Sequence, residues 1–215
     1  MKIQNTTLSS QVEKKKKQKT KLQLKAPTQQ RSKQTVSIIL QACSKLLVEE
    51  SFFGVTTDKV AKEAGVSIGS LYQFFGNKES VVSAVIRQLM NDDLNKFKTS
   101  LVNIESLSQQ KKINLITKTL IDIYSSSSEL RSKIQSIQNY LIDRQFYQDH
   151  MQSYREIIER TLSPMAGRNS KNVSFVITNA LIGLLNNFFE HNPRFHEDEN
   201  LVEEIERLFS HYIET

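Results

Sequence analysis

Residues 64–79, AGVSIGSLYQFFGNKE, stop and restart a helix twice in close succession, and that punctuation constrains the fold more than any other stretch. Gly65 suits the position that ends a helix in the left-handed conformation. Ser67 is an N-cap for the helix that follows, and Val66 with Leu71 forms the hydrophobic staple that fixes its entry angle. Gly76 ends this helix and Asn77 caps the next. The pattern predicts a short helix from Thr57 to Ala64, capped by Thr57 with Asp58 in its first turn, and another from Ile68 to Phe75. Two short helices joined by a glycine-containing turn form a helix-turn-helix. Gly69 is costly inside such a helix, by roughly 1 kcal/mol relative to alanine. It allows either a close approach of the backbone to a bound surface or tight packing against a second helix.

The remainder also reads as helix, so the fold class is all-α. The 215 residues include only three prolines and six glycines, and 38% are hydrophobic, enough for a core. Val36, Ile39, Leu40, Cys43, Leu46 and Leu47 recur at helical spacing between about Gln29 and Glu50, with Thr28 as the predicted cap. Cys43 lies on that apolar stripe and is read as a core side chain rather than a reactive thiol. Residues 1–28 carry eight lysines against Glu13 alone, a local charge of +7, and the rest of the chain carries −1. This segment is too poor in apolar residues to fold alone; it is either an arm held to nucleic acid by counterion release or a solubilising leader. The expected organisation is a basic disordered tail over 1–28, a helix-turn-helix head over 29–78, and a larger helical body over 79–215. Ser163, Pro164, Gly167 and Asn169 mark a loop in that body. No stretch has the length and apolarity of a membrane span or a secretory leader, so a cytoplasmic location and no membrane partner are expected.

In a helix-turn-helix the second helix enters the major groove of double-stranded DNA with its N-terminal residues toward the base edges. Leu71 and Phe75, four residues apart, form its inward face. Gln73 suits bidentate pairing with adenine, and Ser70 can donate or accept. Tyr72 carries a hydroxyl toward a phosphate. Lys78 and Thr57 stand in the first turns of their helices, where free N–H groups suit a phosphate; for Lys78 the alternative is an ordinary exposed lysine. The stretch TTDKVAKEAGVSIGSLYQFFGNKESVVSAVI resembles the DNA-binding segment of the TetR family of bacterial transcriptional regulators, over about residues 31–86. The resemblance implies a three-helix DNA-binding head, a ligand-binding body, and a homodimer that binds an inverted-repeat operator. It also implies phosphate contacts from Thr57, Ser67, Tyr72 and Lys78, and base reading or close approach from Ile68, Gly69, Ser70 and Gln73. Two positions depart from the family pattern. Phe74 stands where tyrosine or histidine is common, which removes one phosphate hydrogen bond. Ser51 stands where glycine commonly ends the first helix, which calls for a differently built turn.

Beyond about residue 100 helical periodicity continues without a specific resemblance. A pocket for an unknown small-molecule ligand is expected between the middle helices. Phe97, Tyr124, Tyr140, Tyr147, Met151, Tyr154 and Asn179 are candidate wall residues, with core packing or surface exposure as the alternative for each. Near the C-terminus, VSFVITNALIGLLNNFF and LVEEIERLFSHYI carry apolar arcs broader than a helix buried on one neighbour needs. Val176, Ala180, Leu184, Phe188, Leu201, Ile205, Leu208 and Tyr212 are the expected dimer face of an isologous four-helix interface; burial within one chain is the alternative. Glu197, Asp198 and Glu199 read as a solvated helix start. The four histidines are not at metal-ligand spacing, and neither a phosphate-binding glycine loop nor a nucleophile triad can be read. No metal, cofactor or enzymatic function is therefore expected. The expected function is a repressor released from its operator by a ligand; control by a protein partner, or an enzyme or lipid carrier on a helical bundle, are the competing readings.

Overall fold

The computed structural model describes residues 5–163, 169–191, 194 and 197–214, and most side chains from residue 29 onward. Among these residues there are nine α-helices and no strand. They are α1 (Asn5–Gly54), α2 (Thr57–Glu63), α3 (Ile68–Tyr72), α4 (Lys78–Ser100), α5 (Gln109–Ser125), α6 (Ser128–Leu141), α7 (Arg144–Leu162), α8 (Ser170–His191) and α9 (Glu199–Glu214).

Helix α1 begins at Asn5 rather than near Gln29, so residue 28 lies inside the helix and the backbone over 5–28 is helical where a disordered tail was expected. The reason is local composition: this run has no glycine before Gly54 and is rich in lysine, glutamine and leucine, all good helix formers. The side chains of residues 1–28, and with them the expected DNA contacts of the lysines, lie outside the described residues, as do Pro164 and Gly167.

Near its C-terminal end α1 is broken at Ser51, whose φ of 61° and ψ of 176° fall in a region almost confined to glycine. The serine builds the turn that glycine would build, at a cost in strain. Lys59 closes it by pairing with Glu50 and donating to the Gly54 carbonyl at 3.0 Å.

Two apolar clusters hold the chain together. The head core gathers Ile39, Cys43, Leu47 and Leu71 with Val82 and Ile86, and Ile134 and Ile142 at the far side complete it. Burial raises the Cys43 thiol to about 12, which keeps it protonated and inert, as its place on the stripe suggests. The body core is built around Phe97, Ile113, Leu120, Tyr154, Ile158 and Ile177. Helix α4 serves both, with Val81, Val82, Val85 and Ile86 in the first and Leu94 and Phe97 in the second. Packing therefore does not divide at residue 78; α4 crosses the expected boundary and α6 packs back onto α1. Helix α7 lies against α8, and α9 against α5.

Replacing Ser51 by glycine should raise stability by about 1 kcal/mol, the relieved strain outweighing the added unfolded-state entropy. Urea unfolding would read this as a higher midpoint at unchanged slope. An unchanged or lower midpoint would speak against strain at Ser51.

Candidate functional site

The turn between α2 and α3 is built from local hydrogen bonds. Gly65 adopts φ +65°, its N–H meets the Lys62 carbonyl at 3.2 Å, and the Val66 N–H meets Ala61 at 3.0 Å. This is the double bond pattern of a Schellman motif, with glycine in the left-handed position. Ser67 then caps α3, its hydroxyl accepting the Ser70 N–H at 3.1 Å and lying 2.8 Å from the Ser70 hydroxyl. Asn77 caps α4 in a reciprocal box with Ser80.

Two expectations are corrected here. The cap of α2 is Thr56, not Thr57: Thr56 is extended and its hydroxyl accepts the Lys59 N–H at 3.3 Å. Thr57 is the first helical residue, which leaves its hydroxyl available, 3.1 Å from that of Tyr72. Helix α3 ends at Tyr72 rather than Phe75, because the Phe74 and Phe75 N–H groups both return to the Leu71 carbonyl at 3.0 Å. Leu71 and Phe75 still face inward.

The outer side of α3 presents Ser67, Ile68, Gly69 and Gln73 to solvent, with Ser70 half-buried. Tyr72 is 52% exposed and Phe74 37%. A Cβ added at Gly69 would meet only the Ser67 hydroxyl, at 3.9 Å. No other helix crowds it, so intramolecular packing does not account for this glycine. Lys78 is half-buried: its ammonium donates to the Phe52 carbonyl at 3.2 Å and lies 4.1 Å from the centre of the Phe52 ring. Sequence reasoning missed Phe52, because nothing local links it to a lysine beyond the next two helices.

In the body, three adjoining cavities meet at Tyr147. One of about 300 Å³ is walled by Met90, Gln138 and Arg144 among others. A second, about 480 Å³, takes in Met151 and Asn179. The third is a narrow space of about 30 Å³ that includes Tyr124, Met151 and Tyr154. Two candidate wall residues lie elsewhere. Phe97 is fully buried in the body core, against Tyr154, because the apolar face of α4 points it there. Tyr140 is 88% exposed, on the outer side of α6. Of the candidate dimer face, Ile205 is buried within its own chain's core. Val176, Ala180 and Leu208 are exposed, while Leu184, Phe188, Leu201 and Tyr212 are half-buried against the body core.

The innermost cavity holds a buried ion pair that the sequence reading did not single out. Arg131 of α6 pairs with Asp93 of α4, donates to the Ser127 hydroxyl at 2.9 Å, and stacks 4.0 Å from the centre of the Tyr124 ring. Burial pushes the Asp93 carboxyl above the usual carboxylate range, against the pull of Arg131. The signal was there: Asp93 sits on the apolar stripe of Ile86, Met90 and Phe97, where a charge is out of place. His150 lies beside the pair, stacked 6.0 Å from Phe146 and edge-on to Tyr154 at 5.3 Å. Its pKa is lowered to about 4, chiefly by burial and further by Lys98 and Arg131, so at neutral pH it carries no charge.

Among the described residues no cluster of three or more His, Cys, Asp or Glu could hold a metal, and no helix is long and apolar enough to cross a membrane. A capped two-helix unit with an open outer face, mounted on a helical body with adjoining clefts, defines a helix-turn-helix protein. Residues 39–85 match the family model for bacterial regulatory proteins of the tetR family. The fatty acid metabolism regulator protein of Bacillus subtilis (strain 168) is 23% identical over 112 residues, 46% of this chain and 58% of that protein. The chain thus spans less than two thirds of the length of that curated relative. A TetR-family regulator from Mesorhizobium loti shares the fold at a TM-score of 0.66 and 15% identity, covering 86% of this chain and 95% of that one. The regulator FadR of Bacillus subtilis, solved with stearoyl-CoA, gives 0.61 at 16% identity, covering 81% and 97%. The chain therefore carries a tetR-type segment over residues 39–85, set in a fold shared with these solved regulators.

The depressed pKa of His150 fixes the sign of a pH effect. Unfolded, the imidazole takes up a proton near 6.5; folded, it resists until about 4. Stability from this group is complete above the unfolded value and is lost as pH falls toward the folded one. Between about pH 7 and about pH 5 the loss amounts to roughly 2 kcal/mol. Urea titrations at the two pH values should show this loss in the wild type and not in His150→Phe. Equal pH slopes in the two proteins would contradict it.

Proposed function

We propose that the chain is a transcriptional regulator that binds an inverted-repeat operator in double-stranded DNA as a homodimer, under control of a small-molecule ligand. The observation that carries this reading is the empty space over Gly69 on the exposed side of a capped, rigidly mounted α3. A glycine kept there against helix propensity, with no intramolecular neighbour, suits a backbone pressed against base edges. Ile68, Ser70 and Gln73 flank it as base-reading groups. The adjacent hydroxyls of Thr57 and Tyr72 are arranged to share one phosphate, with Ser67 and Lys78 as further phosphate donors. Lys78 keeps its tie to the Phe52 carbonyl or exchanges it for the phosphate. The basic segment 1–28 adds affinity through counterion release.

Dimerisation uses the outer face of α8, where exposed Val176, Ala180, Gly183 and Asn187 follow one another at spacings of three and four residues, together with Leu208 of α9. Leu184, Phe188, Leu201 and Tyr212 flank that face. The ligand site is the cavity system around Tyr147. The fatty-acid regulators among the relatives make long-chain acyl-CoA the first compound class to test. Binding there would act on DNA through α4, which belongs to both cores. In the cell this function belongs in the cytoplasm, and release of a repressor is the simplest response.

Selection from random DNA should recover an inverted repeat; recovery of no preferred sequence would count against the whole reading. On the selected site, Gly69→Ala should weaken binding about tenfold, ~1.4 kcal/mol, while leaving the free protein as stable or more so. Tyr72→Phe should weaken all sequences alike, and Gln73→Ala should cost roughly 1–3 kcal/mol at one base position. A Gly69→Ala protein that binds DNA normally would return the glycine to an unexplained feature of α3.

A further inference from the structure

Asp93 is 3% exposed, yet only one of its carboxylate oxygens is engaged. Oδ2 meets Arg131, whereas Oδ1 has no hydrogen-bond partner among the described residues. A buried acceptor left unmet costs free energy, so native structures rarely keep one without a purpose or a bound group. Beside it lies the narrow cavity of about 30 Å³, with room for one small polar group. This space opens toward the cavity of about 300 Å³, with which it shares Met90, Gln138 and Tyr147, so a ligand whose end sits at Asp93 can extend outward between α6 and α7.

The charges facing the space select what fits. Asp93 from α4 and Arg131 from α6 cancel, and His150 from α7 is uncharged at neutral pH. Tyr124, Tyr147 and Tyr154 supply aromatic walls. A cationic group would meet the guanidinium at close range, and an anionic one the carboxylate, in surroundings where either repulsion is strong. A neutral donor meets neither. We infer that this cavity is the recognition end of the ligand site and takes a neutral O–H or N–H group, a hydroxyl or a primary amide, that donates to Asp93 Oδ1. The inference rests on the proposed reading of the body as a ligand-binding unit. It adds a consequence: a donor on Oδ1 draws charge from the carboxylate and loosens its hold on Arg131, the tie between α4 and α6.

The test titrates the full chain, followed by its tyrosine fluorescence, with hexanamide and with N,N-dimethylhexanamide, which lacks the N–H. The wild type should bind hexanamide about tenfold more tightly, the worth of one buried hydrogen bond to a charged acceptor. In the Asp93→Leu/Arg131→Met double variant, which replaces the pair by apolar residues of similar size, the two probes should bind alike. Equal binding of both probes to the wild type, no saturable binding of hexanamide, or discrimination that survives in the double variant would each overturn the assignment. Operator binding is read on the same preparations. A wild type that discriminates between the probes but binds no operator would uphold the donor site and remove the regulator reading.

Discussion

Helix α4 is buried at both ends in different cores, and the rest of the structure is arranged around that constraint. Its 23 residues span ~35 Å at 1.5 Å per residue, from the floor of the helix-turn-helix to the centre of the body. A rod packed at both ends cannot shift in one core without disturbing the other, because protein interiors resist small displacements. Polar ties fix it along its length. The Ser83 hydroxyl donates to the Leu141 carbonyl at 2.9 Å, Arg87 pairs with Asp143 at the cap of α7, and Asp93 pairs with Arg131. The first two are partly exposed and weak, whereas removing one partner of the buried pair would cost about 3–5 kcal/mol. The strongest polar link between α4 and α6 therefore lies at the edge of a cavity, where a ligand can reach it.

The head solves a different problem. A helix of five residues has almost no stability of its own, since nucleation alone outweighs what so few hydrogen bonds return. Helix α3 exists because its ends are fixed: the Schellman turn at Gly65 and the Ser67 cap before it, the burial of Leu71 within it, and the Asn77 box that starts α4 directly after. A short helix held this way projects its outer residues with little freedom, which is what a surface reading base edges requires.

The features legible in the sequence were those set by neighbours along the chain. Gly65, Ser67 and Asn77 each act on residues within a few positions, so their roles could be read before any packing was known. The misassigned α2 cap was also local: of two adjacent threonines, the extended one caps, and the sequence does not say which is extended. The extra length given to α3 came from the apolar pair Leu71 and Phe75, which remains buried after the helix has ended. Contacts between distant segments were not legible. Tyr140 and Tyr147 look alike in sequence, yet one points to solvent and the other meets all three cavities, because α6 and α7 present different faces to α4. Ile205 and Leu208 lie three apart on α9 and part ways for the same reason, one buried in the core and the other exposed. The Asp93–Arg131 pair joins residues 38 positions apart, and only a charge on an apolar stripe hinted at it.

The central claim, a two-headed protein reading one face of a duplex, is tested most directly by hydroxyl-radical footprinting of the full chain on its selected operator. The account predicts two protected patches related by a dyad, on the same face of the DNA, with centres about one helical turn or ~34 Å apart or a multiple of it. A single protected patch, or patches on opposite faces of the duplex, would contradict it.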